Sequence, residues 1–304
     1  MTFQRSETPT CADVEGCDAV EIVITPKTKD LGGFDVRRVL PALEKRSVGP
    51  FVFFDQMGPA VFPPGEGISV RPHPHIGLST LTWLFEGEIM HRDSLGYVQP
   101  IRPGEVNWMT AGSGIVHSER TPEDLLDKER PLFGLQVWMA LPKDLEETEP
   151  SFQHVAADAI PSLDEGGVRL SLVAGEGWGL SSPVTVHSET LYADVQSEAG
   201  AVLTIPADHD ERAVFPVRGA VEIAGVRFET GTMMVLKPGQ PVDVLALEGA
   251  HYVVIGGAPI DGQRHLYWNF VSSRQARIEQ AKEDWQEGRF ASVPGDDEFI
   301  PLPD

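Results

Sequence analysis

The chain is poor in cysteine, in basic residues and in long apolar runs, and each shortage excludes something. The only two cysteines, Cys11 and Cys17, have five residues between them in the polar stretch CADVEGC. Redox and metal motifs place two residues between their thiols, so this pair is read as free thiols on a flexible leader. A disulfide-stapled fold is excluded, and the usage suits a reducing, cytoplasmic compartment. The longest apolar stretches, HYVVIGG and GPFVFF, fall far short of the ~20 residues that span a bilayer. The start of the chain lacks the basic run and apolar core of a signal peptide. Lys and Arg total 24 against 46 Asp and Glu, a formal charge of -22. Such a surface repels nucleic acid and anionic membranes, which leaves a small molecule or a basic-patched protein as partner. Also missing is any helical pattern between the strand-like segments, so a parallel α/β fold is excluded.

What is present is β structure. Runs such as EIVIT, LSTLTWLFEG, LFGLQVWMAL, AVLTIP, AVFPVRGAVEIAG and HYVVIGG recur between Gly, Pro and Asp clusters from about residue 20 to 258. Many short strands at near-regular spacing predict an all-β sandwich or barrel. The length suits two domains, and an internal repeat divides them. HPHIGLSTLTWLFEGEI, IRPGEVNWM and GIVHSE in the first half answer DHDERAVFPVRGAVEI, LKPGQPVDVL and GAHYVVIGG in the second. His209 and His251 fall near the places of His75 and His117 without completing the same residue set. The one convincing helix lies in SSRQARIEQAKEDWQEGR, with Ser272 as N-cap, Gly288 as stop, and a thin apolar stripe of Ile278, Ala281 and Trp285. The polar stretch at 123–131 reads as a connection or short helix.

RPHPH at 71–75 and HSE at 117–119 carry the chemistry. A strand points residues i and i+2 to one face, with Cα atoms roughly 6.6 Å apart. His73 therefore converges with His75, and His117 with Glu119, so two such strands lining one barrel bring four ligand groups together. Pro72 and Pro74 lack backbone donors, which confines the first pair to a strand end or edge. We expect it at the barrel mouth, open to solvent and substrate. Three imidazoles and one carboxylate suit a borderline divalent ion and leave two of six octahedral positions free. Ligand type alone does not fix the ion, and Fe, Cu, Ni, Mn, Co and Zn all remain open. His91, in MHRDSLG, reads either as an acid-base or ligand-orienting group of the pocket or as a turn histidine bonded to Asp93. Trp83, Phe85, Trp108 and Met109 read as core, although a barrel lining would serve packing and substrate alike.

RPHPHIGLSTLTWLFEGEIMHRDSLG followed by RPGEVNWMTAGSGIVHSE resembles the pirin family of the cupin superfamily, and the likeness runs on through GGAPIDG and EQAKEDWQEGRF. The resemblance implies two tandem cupin β-barrels (jelly-roll sandwiches) with a C-terminal helix. Residues 1–20 are the expected leader, 21–150 the metal-binding barrel, and 151–304 a metal-free barrel with the helix. It implies iron held by His73, His75, His117 and Glu119, and a dioxygenase of quercetin 2,3-dioxygenase type acting on a flavonol or similar aromatic chelator. Glu119 would be the base, with His91 as a second candidate catalytic group. The alternative it carries is a redox-sensing regulator that docks on a protein partner. Ile76-Gly77-Leu78-Ser79-Thr80 and RHLYWNFVSSR depart from the common pirin pattern, the first of them beside the pocket.

Overall fold

A computed structural model describes residues 8–30 and 35–303. Every strand pair of its sheets is antiparallel, and the sheets form two double-sheet barrels. In the first barrel the large sheet runs Ser151–Val155, Val106–Thr110, Leu78–Glu86, Arg130–Ala140, Phe51–Phe62, Asp35–Leu40, Lys27–Asp30. The facing small sheet runs Ser69–His75, Ile115–Arg120, Ile89–Asp93, Val98–Ile101. The second barrel repeats the plan, with Val202–Ile205, Val242–Ala246, Val221–Ile223 and Val226–Phe228 as its small sheet.

The large sheets of the two barrels pack against each other. Strand Leu78–Glu86 shows how alternation arranges this. Leu81 and Trp83 join a core shared with Tyr192, Phe215 and Val253 of the second barrel, while Thr80 and Thr82 point the other way, into the first barrel. Phe54 meets Phe215 edge-on at 4.9 Å between ring centroids. Trp83 and Trp108 thus cement the barrels together, whereas Met109 belongs to the interior of the first barrel with Phe53 and Trp138.

Each end of the chain serves the opposite barrel. Strands Thr10–Ala12 and Val20–Thr25 extend the large sheet of the second barrel, Val20–Thr25 pairing with Met233–Leu236. Cys17 is buried there, its thiol facing the Ile223 carbonyl. The flexible leader expected over residues 1–20 is therefore corrected for its described part: Val20, Ile22 and Ile24 alternate as a strand and are drawn into a sheet edge. Residues 1–7 lie outside the described region.

At the other end, the hairpin His265–Tyr267/Phe270–Ser272 and the helix Gln275–Gln286 pack on the first barrel. Phe270 bridges to Ile76, Val271 N–H donates to the Ile76 carbonyl, and Ile300 N–H donates to that of Pro72. Buried Glu146 latches this segment: it pairs with Arg264 at 2.9 Å and accepts from the Ser272 hydroxyl and the Ser273 N–H and hydroxyl at 2.7–3.0 Å. The helix buries Ile278 and Ala281 as its stripe predicts and stops at Gly288, whose φ of 69° suits glycine. Its N-cap is Arg274 rather than Ser272; the Ser272 hydroxyl, committed to Glu146, accepts only from the Arg274 N–H. The 123–131 stretch contributes a single 3-10 turn, Glu123–Leu125.

Candidate metal centre

Strand Ser69–His75 occupies the edge of the small sheet, as its two prolines require. It pairs with Ile115–Arg120 so that His73 stands opposite His117. The register slips between His117 and Glu119, because Glu119 faces Val70 and the Arg71-Pro72 pair is taken up in a bulge. From Pro72 to His75 the edge is buried rather than open to solvent, which corrects the expected exposed mouth. The C-terminal hairpin and tail cover it, leaving His75 and His117 1% exposed and His73 and Glu119 6%.

The three imidazoles lie with ring centroids 4.4–5.0 Å apart, and one ring nitrogen from each falls within 4.8 Å of the others. Their hydrogen bonds sort the ring nitrogens. His73 Nδ1 donates to the Arg71 carbonyl at 2.9 Å, which leaves Nε2 with its lone pair. His117 Nδ1 meets His91 Nδ1 at 3.3 Å, and His91 Nε2 meets Asp93 Oδ2 at 3.1 Å. With Asp93 as acceptor, His91 carries its proton on Nε2 and accepts through Nδ1, so His117 donates from Nδ1. His117 Nε2 is then a buried nitrogen with no partner, as is His75 Nδ1.

Burial, reinforced by its histidine neighbours, holds His117 well below the ordinary imidazole range; burial and His73 do the same for His75. His73 is also lowered, chiefly by burial. Neutral rings with unpartnered, converging nitrogens are the donor set of a divalent cation, so the residues present fit a metal ion.

Glu119 sits beside the cluster rather than within its 4.8 Å circle. It accepts from the Thr82 hydroxyl at 3.2 Å and from Gln136 Nε2 at 3.1–3.2 Å. Sequence reading missed Thr82 and Gln136. The available signal was polarity on largely buried strands, Thr82 within LSTLTWLFE and Gln136 within RPLFGLQVWMA. Trp138 closes the opposite wall, its ring 5.2 Å from His75 and stacked on Phe53 at 3.8 Å. His91 lies on strand Ile89–Asp93, bonded to Asp93 and placed directly behind His117, with Phe152 stacked on it at 4.8 Å.

The second barrel assembles no such cluster among the described residues. His209 is engaged by Glu189 at 2.7 Å and by the Glu176 carbonyl at 2.9 Å. His251 pairs elsewhere with Asp194, at 2.5 Å.

Two tandem double-sheet barrels, the first enclosing a histidine cluster, define a bicupin of the cupin superfamily. The Pirin family model matches residues 33–139, and that of the Pirin C-terminal cupin domain matches residues 192–291. A Pirin-like protein of Caulobacter vibrioides is 49% identical over 94% of this chain and all of its own length. The chain belongs to the pirin family. A crystal structure of quercetin 2,3-dioxygenase from Acinetobacter baumannii superposes with a TM-score of 0.86 at 34% identity, covering 93% of this chain and 94% of the other. A bacterial pirin from Escherichia coli, solved in complex with nickel(II), shares the fold at a TM-score of 0.62 and 20% identity, over 77% of this chain and 96% of that one.

Proposed function

We propose that the protein is a metal-dependent dioxygenase of the quercetin 2,3-dioxygenase type, with His73, His75, His117 and Glu119 as the metal site. The observation that carries this reading is three buried imidazoles with ring nitrogens within 4.8 Å of one another, two of the rings keeping an unpartnered nitrogen, and a carboxylate beside them. Likeness to the Acinetobacter dioxygenase supports the reaction class. A divalent ion, iron in our reading, would supply Lewis acidity and open positions at which a chelating aromatic substrate and dioxygen meet.

The chain's own residues do the rest. Glu119 accepts the proton of the flavonol 3-hydroxyl once that group lies within ~2.6–3.2 Å. Thr82 and Gln136 hold the carboxylate, and their hydrogen bonds yield as it takes the proton. Asp93 and His91 orient the His117 ring and fix its tautomer, so His91 is a positioning residue whose two nitrogens are both engaged. Trp138 and Phe53 line the apolar side and keep water from the reacting carbons.

Metal analysis followed by oxygen uptake and carbon monoxide release with quercetin tests the proposal. We expect turnover by the iron-loaded wild type, little by Glu119→Ala, and neither metal nor turnover after His75→Ala. An iron-loaded wild type that leaves quercetin and oxygen untouched refutes the reaction. Full metal stoichiometry after removal of both His73 and His75 refutes the site.

A further inference from the structure

The C-terminal tail does more than cover the histidine strands. Between the tail and the backs of those strands lies a cavity of about 350 Å³, within the range of small-molecule sites. Pro72 and Val116, neighbours of His73 and His117, form its back wall. Three aromatic rings form the other walls. The Trp285 indole is fixed by donation from Nε1 to the Ile300 carbonyl at 2.9 Å. Phe290 stands at 78° to it with centroids 5.9 Å apart, and Phe299 at 73° and 6.2 Å. Two phenyl rings roughly perpendicular to one indole frame an open-sided aromatic box, with Phe290 also stacked on Phe270 at 6.1 Å. Phe299, at the rim, is 58% exposed.

Charge at the rim has one sign in excess. No Lys or Arg lines the cavity, whereas Asp296, Asp297 and Glu298 do. Arg120 serves two of these carboxylates, Asp296 at 3.0 Å and Glu298 at 2.6 Å. Asp297 makes no ion pair among the described residues and is exposed. The nearby Arg289 is taken up by Asp284 and Glu287. Negative π-faces together with an uncompensated carboxylate attract a cation that carries apolar surface, and they repel an anion.

We propose that the Trp285–Phe290–Phe299 cavity is a binding site for a small organic ammonium ion, separate from the histidine cluster and independent of whether that cluster holds metal. The ammonium head occupies the aromatic box, and Asp297 supplies its counter-charge.

Choline and its uncharged carbon isostere, 3,3-dimethylbutan-1-ol, are suitable probes, because they differ in charge and hardly in shape. Isothermal titration into the full chain should give saturable choline binding, at least five-fold tighter than that of the alcohol. Phe299→Ala should weaken choline about two- to five-fold, the loss of one cation–π wall at a partly exposed site. Asp297→Asn should weaken choline and leave the alcohol unchanged. Both side chains are exposed, so neither variant threatens the fold, and unchanged far-ultraviolet circular dichroism verifies this. Equal affinity for the two probes, absence of saturable binding, or choline binding indifferent to both substitutions overturns the proposal. The last of these outcomes is diffuse attraction to an acidic surface.

Discussion

Replacing His91 by Phe isolates what the chain behind His117 contributes. Phenylalanine keeps an aromatic ring to stack on Phe152, somewhat larger than imidazole, but can neither accept from His117 Nδ1 nor donate to Asp93. Without metal, His117 can carry its proton on Nε2, so the variant has a way to avoid an orphaned donor. With metal on Nε2, the proton must stand on Nδ1, where His91 no longer receives it. A buried donor left without a partner costs about 1–3 kcal/mol, and His117 is only 1% exposed. The penalty therefore falls on the metal-bound state and weakens binding about 5- to 150-fold. Loss of comparable outer partners costs metal sites about 10- to 100-fold. Competition for Ni(II) against a chromophoric chelator at pH 7.5 measures this, with His75→Ala marking outright loss. An affinity within three-fold of wild type refutes the tautomer argument. So does an equal loss in Phe152→Leu, which would trace the effect to packing.

Three further outcomes are expected. Glu146→Ala removes an acceptor of Arg264, Ser272 and Ser273 and leaves a buried guanidinium with Asp261 as its one carboxylate partner beside the Gly262 and Leu141 carbonyls. It should cost about 3–5 kcal/mol in denaturant titration and speed amide exchange in 265–286, and a cost under 1 kcal/mol contradicts the latch. Gly77→Ala should release the C-terminal hairpin, because φ is 67° and a Cβ would lie 2.0 Å from the Val271 carbonyl oxygen; wild-type exchange rates in the hairpin would count against this. The third concerns pH and the metal-free protein. Burial lowers His73, His75 and His117 in the folded state, so both folded and unfolded chains are neutral there above the ordinary value of ~6.5. As pH falls through that value only the unfolded chain takes up protons, and stability drops. The thermal midpoint should decline from pH 7.5 to 5.5, less so in a His75→Phe/His117→Phe double variant, and identical declines in the two proteins refute the assignment.

Period-2 spacing makes the histidine set legible in the sequence itself, since strand geometry forces His73 toward His75 whatever surrounds them. The prolines likewise announce an edge. What covers that edge is not legible, because the contact between Ile76 and Phe270 joins residues far apart in sequence and leaves no local pattern. The leader escapes for a related reason. Val20–Thr25 has the composition of a strand, but only the distant Met233–Leu236 decides which barrel it edges. The supports of Glu119 come from two other strands, and nothing in HSE points to Thr82 or Gln136. Ser272 misleads as a cap because a buried carboxylate from the other end of the fold claims its hydroxyl.

The exchange of chain ends also sets an order of events. The first barrel can pair its sheets with residues up to Val155, yet its proline-bearing edge waits for Phe270, Val271 and Ile300, which lie far downstream. Strand Val20–Thr25 likewise waits for the distant Met233–Leu236 before it has a neighbour on that side. Folding of the histidine strands and covering of their edge are thus separate events, joined only by these few distant contacts.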